Sequence, residues 1–336
     1  MKFYNLIIIL LLITALSSCK EKDAKEEKTA KPETKIKLKE GVQPFAEAIF
    51  SQFTNVRDFT MTTDENEAYF TLQSPARELS VIMRIEKHDD AWQNPEISSF
   101  SGTYTDLEPF LSPDNLKLFF VSNRPVSKDS TNTKDMDIWY VERTTKTDAW
   151  SEPKNIGAPI NTTDDEFYPA VASNGNLYFT TIKKALESAD DIFMSTWENG
   201  AYSEPKILGE GVNTKGAEYN AFIAPDESYI IFGGWRRPDG LGSGDMYISK
   251  HINGEWSPAE NLGDKINSKY MEFCPFVLND TLYFTSRRSS VTSKEGGFTT
   301  TDDLMSEIDK YENGLSRIYA VDFKNYNSQS QTLNHP

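Results

Sequence analysis

The chain has 336 residues, with 51 acidic against 35 basic side chains and a formal charge of −16. That length fits one large domain or two ordinary ones, and 38% hydrophobic with 12% aromatic residues supplies a core, which argues against wholesale disorder. Two cysteines exclude a disulfide scaffold, three histidines leave little room for a His-rich metal site, and the acidity repels phosphate backbones, which argues against nucleic acid as a partner.

Lys2 precedes an unbroken apolar run from Leu6 to Ile13. The run is too short to cross a bilayer of ~30 Å, which needs about 20 residues, so residues 1–18 read as a signal peptide. Leu16-Ser17-Ser18-Cys19 resembles the lipobox of bacterial lipoproteins. The resemblance implies cleavage before Cys19 and acylation of its thiol and new amine, which would anchor the protein stably in a membrane. A plain secretory peptide with a chance cysteine is the alternative. On the lipoprotein reading Cys274, the only other cysteine, would be an unpaired thiol with no intramolecular disulfide possible. The segment 19–41 then reads as a lipidated, disordered tether. From Lys20 to Gly41 it holds 8 Lys against 6 acidic residues and no aromatic, and cannot bury enough surface to fold. Its flexible span is roughly 25 Å. Lys20-Glu21-Lys22-Asp23 loosely resembles the export tags of surface lipoproteins, or is a generic solvated linker.

From there the chain repeats. Trp150-Ser-Glu-Pro, Tyr202-Ser-Glu-Pro and Trp256-Ser-Pro-Ala recur with a degenerate Trp92-Gln-Asn-Pro, at spacings of 58, 52 and 54 residues. Asn161-Thr162, Asn213-Thr214 and Asn267-Ser268 follow the three full copies. A second element sits in register: Asp106-Leu-Glu-Pro, Glu166-Phe-Tyr-Pro, Glu218-Tyr-Asn-Ala and Glu272-Phe-Cys-Pro, each before a turn and an aromatic strand. A third begins at Asp137, Asp191 and Asp245, with a fourth copy at Arg317. Short aromatic and β-branched runs bounded by turn residues are strands, and four strands per unit of about 50 to 58 residues make a β-propeller.

The Glu-x-x-Pro element, aromatic strand, Ser-x-Arg and Asp-Ile-Trp pattern, best matched over Asp106–Trp139 and Glu218–Ile248, resembles the WD-like repeat of TolB-type propellers. The resemblance covers roughly residues 55 to 323. It implies an all-β fold and a binding platform of the cell envelope. Five four-stranded blades are expected over 42–323, with a polar tail from 324 to 336; a six-bladed ring with one cryptic blade is the alternative. The fifth unit lacks a fourth strand, which Val42 to Ile49 could supply by closing the ring. Phe45 to Phe53 could instead be a short capping helix.

The loop into the first strand and the loop between strands two and three share one rim. That rim is expected to carry Asp106, Glu166, Glu218 and Glu272 near the axis. Further out it would carry Arg124, Trp235, Arg236, Arg237, Arg287 and Arg288, with Lys183 and Lys184. The acids would either form an axial site for a cation or a basic ligand group, or pin their own blades through hydrogen bonds. Arg124 with Asp137 and Arg236 with Asp245 would clamp hairpins. Asn161, Asn213 and Asn267 would form turns, and Trp150, Tyr202 and Trp256 would pack between blades. Long loops at 123–136, 235–244 and 289–316 are better places for binding. The last contains a helix after Thr301 with Leu304, Ile308 and Tyr311 on one face.

No His-Glu-x-x-His, Gly-x-Ser-x-Gly or phosphate loop is present, and no cofactor is implied. The expected function is a lipid-anchored, non-catalytic binding or scaffold propeller of the outer membrane. It would be monomeric and would engage a protein, peptide or envelope polymer. The alternative is a glycoside hydrolase, which would recruit two carboxylates from Asp106, Glu108, Glu166, Glu218 and Glu272.

Overall fold

The computed structural model describes residues 41–127, 129–130, 132–182, 189–324 and 326. The signal peptide, Cys19, nearly all of the tether, Lys183, Lys184 and the tail beyond 326 lie outside the described residues. No helix among the described residues is long and apolar enough to cross a membrane.

The strands form five antiparallel blades of four. Blade 1 runs Val56–Met61, Glu67–Gln73, Ser80–His88 and Glu96–Ile97; blade 2 runs Asp106–Leu111, Lys117–Ser122, Asp137–Glu142 and Lys154–Asn155. Blade 3 is Glu166–Val171, Leu177–Thr181, Asp191–Ser195 and Lys206–Ile207; blade 4 is Ala217–Ile223, Tyr229–Trp235, Asp245–Ile252 and Glu260–Asn261. Blade 5 takes Glu272–Leu278, Thr281–Ser286 and Arg317–Asp322 from the end of the chain, and Gln43–Pro44 from its beginning. The first strand of each blade touches the first strand of the next, and that of blade 5 touches that of blade 1, so the ring is closed.

Closure joins the two expectations for residues 42–53. Gln43 pairs with Ala320 and Pro44 with Tyr319, and one helical turn, Glu47–Phe50, follows. Pro44 needs no amide donor in this outermost position. Phe45 then enters the core edge-on to Phe59 and Tyr283, with ring centroids 5.1 and 5.0 Å away, and Phe50 meets Phe70 at 5.0 Å. The second strands are covered on both faces: Phe70, Phe120, Phe179, Phe232 and Phe284 are fully buried. Their aromatic, unalternating sequence is what a strand between two neighbouring sheets requires.

The three asparagines act over a longer range than a turn. Asn161, Asn213 and Asn267 each accept from and donate to the backbone of Ile138, Ile192 or Met246, at 2.9–3.0 Å. Each amide thus imitates a strand residue and fastens the incoming loop to the third strand of the preceding blade.

Candidate functional site

The four acids expected near the axis open the first strands and are completely buried. Asp106 accepts from Arg124 at 2.5 Å and from Ser101 at 2.8 Å. Glu218 accepts from Arg237 at 3.0 Å and from the amide and hydroxyl of Thr214. Glu272 accepts from Arg288 at 3.2 Å, from Ser286, and from the amide and hydroxyl of Ser268. Glu166 accepts the amide and hydroxyl of Thr162 at 3.1 and 2.6 Å. The three arginines repeat one geometry. Each donates to a carbonyl before the strand (Phe100, Val212 or Ile266) and lies over an aromatic ring of the second strand (Phe120, Phe232 or Phe284). Charge-assisted hydrogen bonds of this kind hold one loop to one blade.

Two expected pairings are therefore different. Arg124 turns inward to Asp106, and Asp137 pairs with Lys134 at 2.6 Å. The clamp of blade 4 is Arg237 to Glu218, while Asp245 accepts the amide of Leu241 at 2.7 Å. The spacing differs by one residue because Gly234-Trp235-Arg236-Arg237 carries an insertion relative to Ser122-Asn123-Arg124. Arg236 is left exposed over its neighbour Trp235, its guanidinium carbon 3.9 Å from the ring centre, and Trp235 is 41% exposed. Arg287 stacks on Phe273 at 5.5 Å and donates to Ser316 at 3.3 Å. Burial, with Arg77 and Arg57 close by, holds the Arg287 guanidinium below its usual pKa.

The long loop of blade 5 forms a helix, Thr301–Ile308, capped by Thr300, whose side chain accepts the Asp303 amide. Its apolar face differs from expectation. Tyr311 leaves it, is buried and donates to the Ile318 carbonyl at 3.1 Å, whereas Leu304, Met305 and Ile308 stay exposed.

Of the residues that line the axis, the sequence singled out Glu108 alone as a candidate for chemistry. Every first strand has a β-bulge: between Arg57 and Thr60, Leu107 and Phe110, Phe167 and Ala170, Tyr219 and Phe222, and Phe273 and Phe276. At each bulge one residue is left-handed: Asp58 (φ 57°), Glu108 (58°), Tyr168 (49°), Asn220 (52°) and Cys274 (54°). Such backbone costs side-chain-bearing residues about 1 kcal/mol or more and persists only where surroundings enforce it. At four of these bulges the amide is fixed from the preceding blade. Asp58, Glu108 and Asn220 donate to the hydroxyls of Thr285, Thr71 and Thr180. Blades 2 and 4 have Val121 and Gly233 where the others have threonine, and after blade 2 the Glu108 carboxylate itself accepts the Tyr168 amide at 2.7 Å.

These side chains close on one another. Arg57 donates to Asp58 at 2.7 Å and Glu108 at 3.0 Å and lies over Phe273; the Cys274 thiol donates to Asp58. Tyr168 reaches the Pro275 carbonyl of blade 5 at 3.3 Å. Burial, then the Asp58 charge, pushes the Cys274 thiol well up, so it is a donor rather than a thiolate. Burial raises Glu108 to about 7 against the lowering effect of Arg57. Among the described residues no group of three His, Cys, Asp or Glu is placed to hold a metal ion.

A carboxyl raised on folding stabilises the fold fully below its unfolded pKa, and that contribution is lost as pH rises to the folded value. The share due to Glu108 should therefore fall between about pH 4.5 and 7 by up to about 3 kcal/mol. Glu108→Gln should flatten this part of the profile, as read by urea unfolding at half-unit pH steps. Parallel profiles for both proteins would contradict a buried, raised Glu108.

No family model matches the chain, and no curated protein does. Solved structures do. The Agrobacterium tumefaciens protein described as TolB is 15% identical, covering 69% of each chain, with a TM-score of 0.43. An α-L-arabinanase of Penicillium chrysogenum is 14% identical over 85% of this chain and 78% of its own, TM-score 0.43. An α-L-arabinofuranosidase of Podospora anserina is 9% identical over 80% and 90%, TM-score 0.45. Hydrolases and TolB thus stand side by side among the similar folds, and the choice between binding and catalysis rests on this chain's own residues.

Proposed function

We propose that this chain is a non-catalytic binding or scaffold propeller of the bacterial cell envelope, of the TolB type. A lipid on Cys19 holds it at the outer membrane, and one rim engages a protein, peptide or envelope polymer. The observation that carries this reading is the division among the rim residues. Asp106, Glu218 and Glu272 are consumed by Arg124, Arg237 and Arg288 inside their blades, whereas Trp235, Arg236 and the face of the Thr301–Ile308 helix stand exposed. Exposed aromatic, arginine and apolar groups on rigidly held loops are the usual material of a binding surface. The Lys-rich tether and lipobox-like segment support the anchor.

The test is capture from envelope fractions by the acylated full chain. A component retained by the native protein should be lost on combining Trp235→Ala, Arg236→Ala and Arg287→Ala, and kept with Lys206→Ala. Palmitate labelling should vanish in Cys19→Ser. The hydrolase reading rests on the Asp58 and Glu108 carboxyls, both bonded to Arg57, with Glu108 raised to about 7. Glycan cleavage that Glu108→Gln abolishes would put that reading in place of the first. Against it, Asp58 and Glu108 are only 1% and 4% exposed.

A further inference from the structure

Two of the blade junctions are sealed by a repeated aromatic pair, and the same junction between blades 2 and 3 is open. Between blades 1 and 2, Trp150 lies on Tyr69, with its indole donating to the hydroxyl at 2.6 Å. Between blades 3 and 4, Trp256 meets Tyr178 edge-on at 6.4 Å. The corresponding pair between blades 2 and 3 is Phe119 and Tyr202. The tyrosine is smaller than tryptophan, and the phenylalanine has no hydroxyl to receive it. A groove of about 780 Å³ remains there, on the rim opposite the arginine-bearing loops, with Phe119 and Tyr202 both in its wall. That is the size of a small-molecule site.

The groove is furnished as well as empty of side chains. Trp197, 39% exposed, stands over it. Its position is fixed by its backbone amide, which donates to Asn176 Oδ1 at 3.1 Å, by Tyr202 with ring centroids 4.6 Å apart, and by Gly175. Gly175 has φ +90°, and a Cβ there would come within 2.9 Å of the indole. Lys117 lies between two rings, its ammonium 5.3 Å from the centre of Tyr140 and 5.8 Å from that of Trp197. No described carboxylate forms a salt bridge with it; Glu142, opposite in the strand register, feels its charge but is bridged by Lys154 at 2.5 Å.

We propose that this groove binds a saccharide carrying a carboxylate. Aromatic faces held at a surface suit the C–H faces of a pyranose, whose hydroxyls can stay in water. A hydrophobic peptide would need deeper burial than a groove bordered by exposed Asp114, Trp197, Gly200 and Ala201 provides. The unpaired ammonium selects for an anionic ring over a neutral one.

Calorimetric titration of the full chain with trigalacturonic acid, and with neutral galactotriose as comparison, tests this. The acidic trisaccharide should bind more tightly. Trp197→Ala should abolish its binding, and Lys117→Gln should weaken it about tenfold while leaving the neutral sugar unchanged. Melting curves report whether each variant folds; if Trp197→Ala does not, half-exposed Lys117→Gln carries the test alone. Absence of binding at millimolar sugar, equal affinity for the neutral sugar, indifference to Lys117→Gln, or tighter binding of a proline-rich peptide would each overturn the proposal.

Discussion

Arg57→Met should destabilise the propeller by about 3–5 kcal/mol, the cost of removing one partner from a buried charge network. Among the described residues Arg57 is the one cation bonded to Asp58 and Glu108 at the axis, where the side chains of the two acids are 0% and 5% exposed. Without it two buried carboxyls repel each other with no cation between them, and Asp58 already has one oxygen without a hydrogen-bond partner. The loss should be steeper at pH 8 than at pH 5, because Glu108, raised to about 7, can be neutral at the lower value. Adding Asp58→Asn and Glu108→Gln should recover part of the stability, since a neutral set of similar shape carries no uncompensated charge. Guanidinium unfolding of the single and triple variants measures both. A single-variant loss below about 1 kcal/mol would mean that the network is solvated like a surface pair.

The second large effect belongs to the closing strand. Phe45→Ala should cost about 3–5 kcal/mol and lower the melting temperature by roughly 10 °C. The ring of Phe45 touches Phe50, Phe59, Trp92 and Tyr283, which joins the beginning of the chain to blades 1 and 5 at once. A chain beginning at Ser51 should do worse. It loses Phe50 as well and leaves the edge of Arg317–Asp322 unpaired, so size-exclusion chromatography should show association through that edge. Glu47→Ala, on the exposed side of the same turn, should stay within about 0.5 kcal/mol of the native protein.

The architecture was legible because the repeats carry their own register. Trp150, Tyr202 and Trp256 mark the outer strands, Glu166, Glu218 and Glu272 the inner ones, and the shortfall in unit five called for Gln43–Pro44. The clamp was half legible: both its arginines and its acids stood out, but spacing alone paired Arg124 with Asp137 and missed the insertion that brings Arg237 to Glu218. The axis was not legible for a definite reason. In a regular strand Asp106 and Glu108 would face the same way, since side chains alternate with period two. The bulge breaks that period, sending Asp106 to Arg124 and Glu108 to Arg57. A trace of it does exist in the sequence. The residue before Pro109, Pro169 and Pro275 varies freely while its neighbours repeat, and with Asp58 and Asn220 it supplies the five axial side chains. Variation inside a repeat marked the position that each blade fills differently.

The pairing of Pro44 with Tyr319 has a consequence for how the protein is made. The first strand of the propeller to leave the ribosome is the last to find its partner, because that partner is made only after the other blades. Blades 1 to 4 can form in order as they emerge, each against its predecessor. The ring cannot lock until Arg317–Asp322 has been made, and through that interval the edge of blade 1 and the Phe45–Phe50 segment are exposed together. Products that stop short of this strand should therefore remain open rings, recognisable to proteases and chaperones, and only chains that include it acquire the closed form.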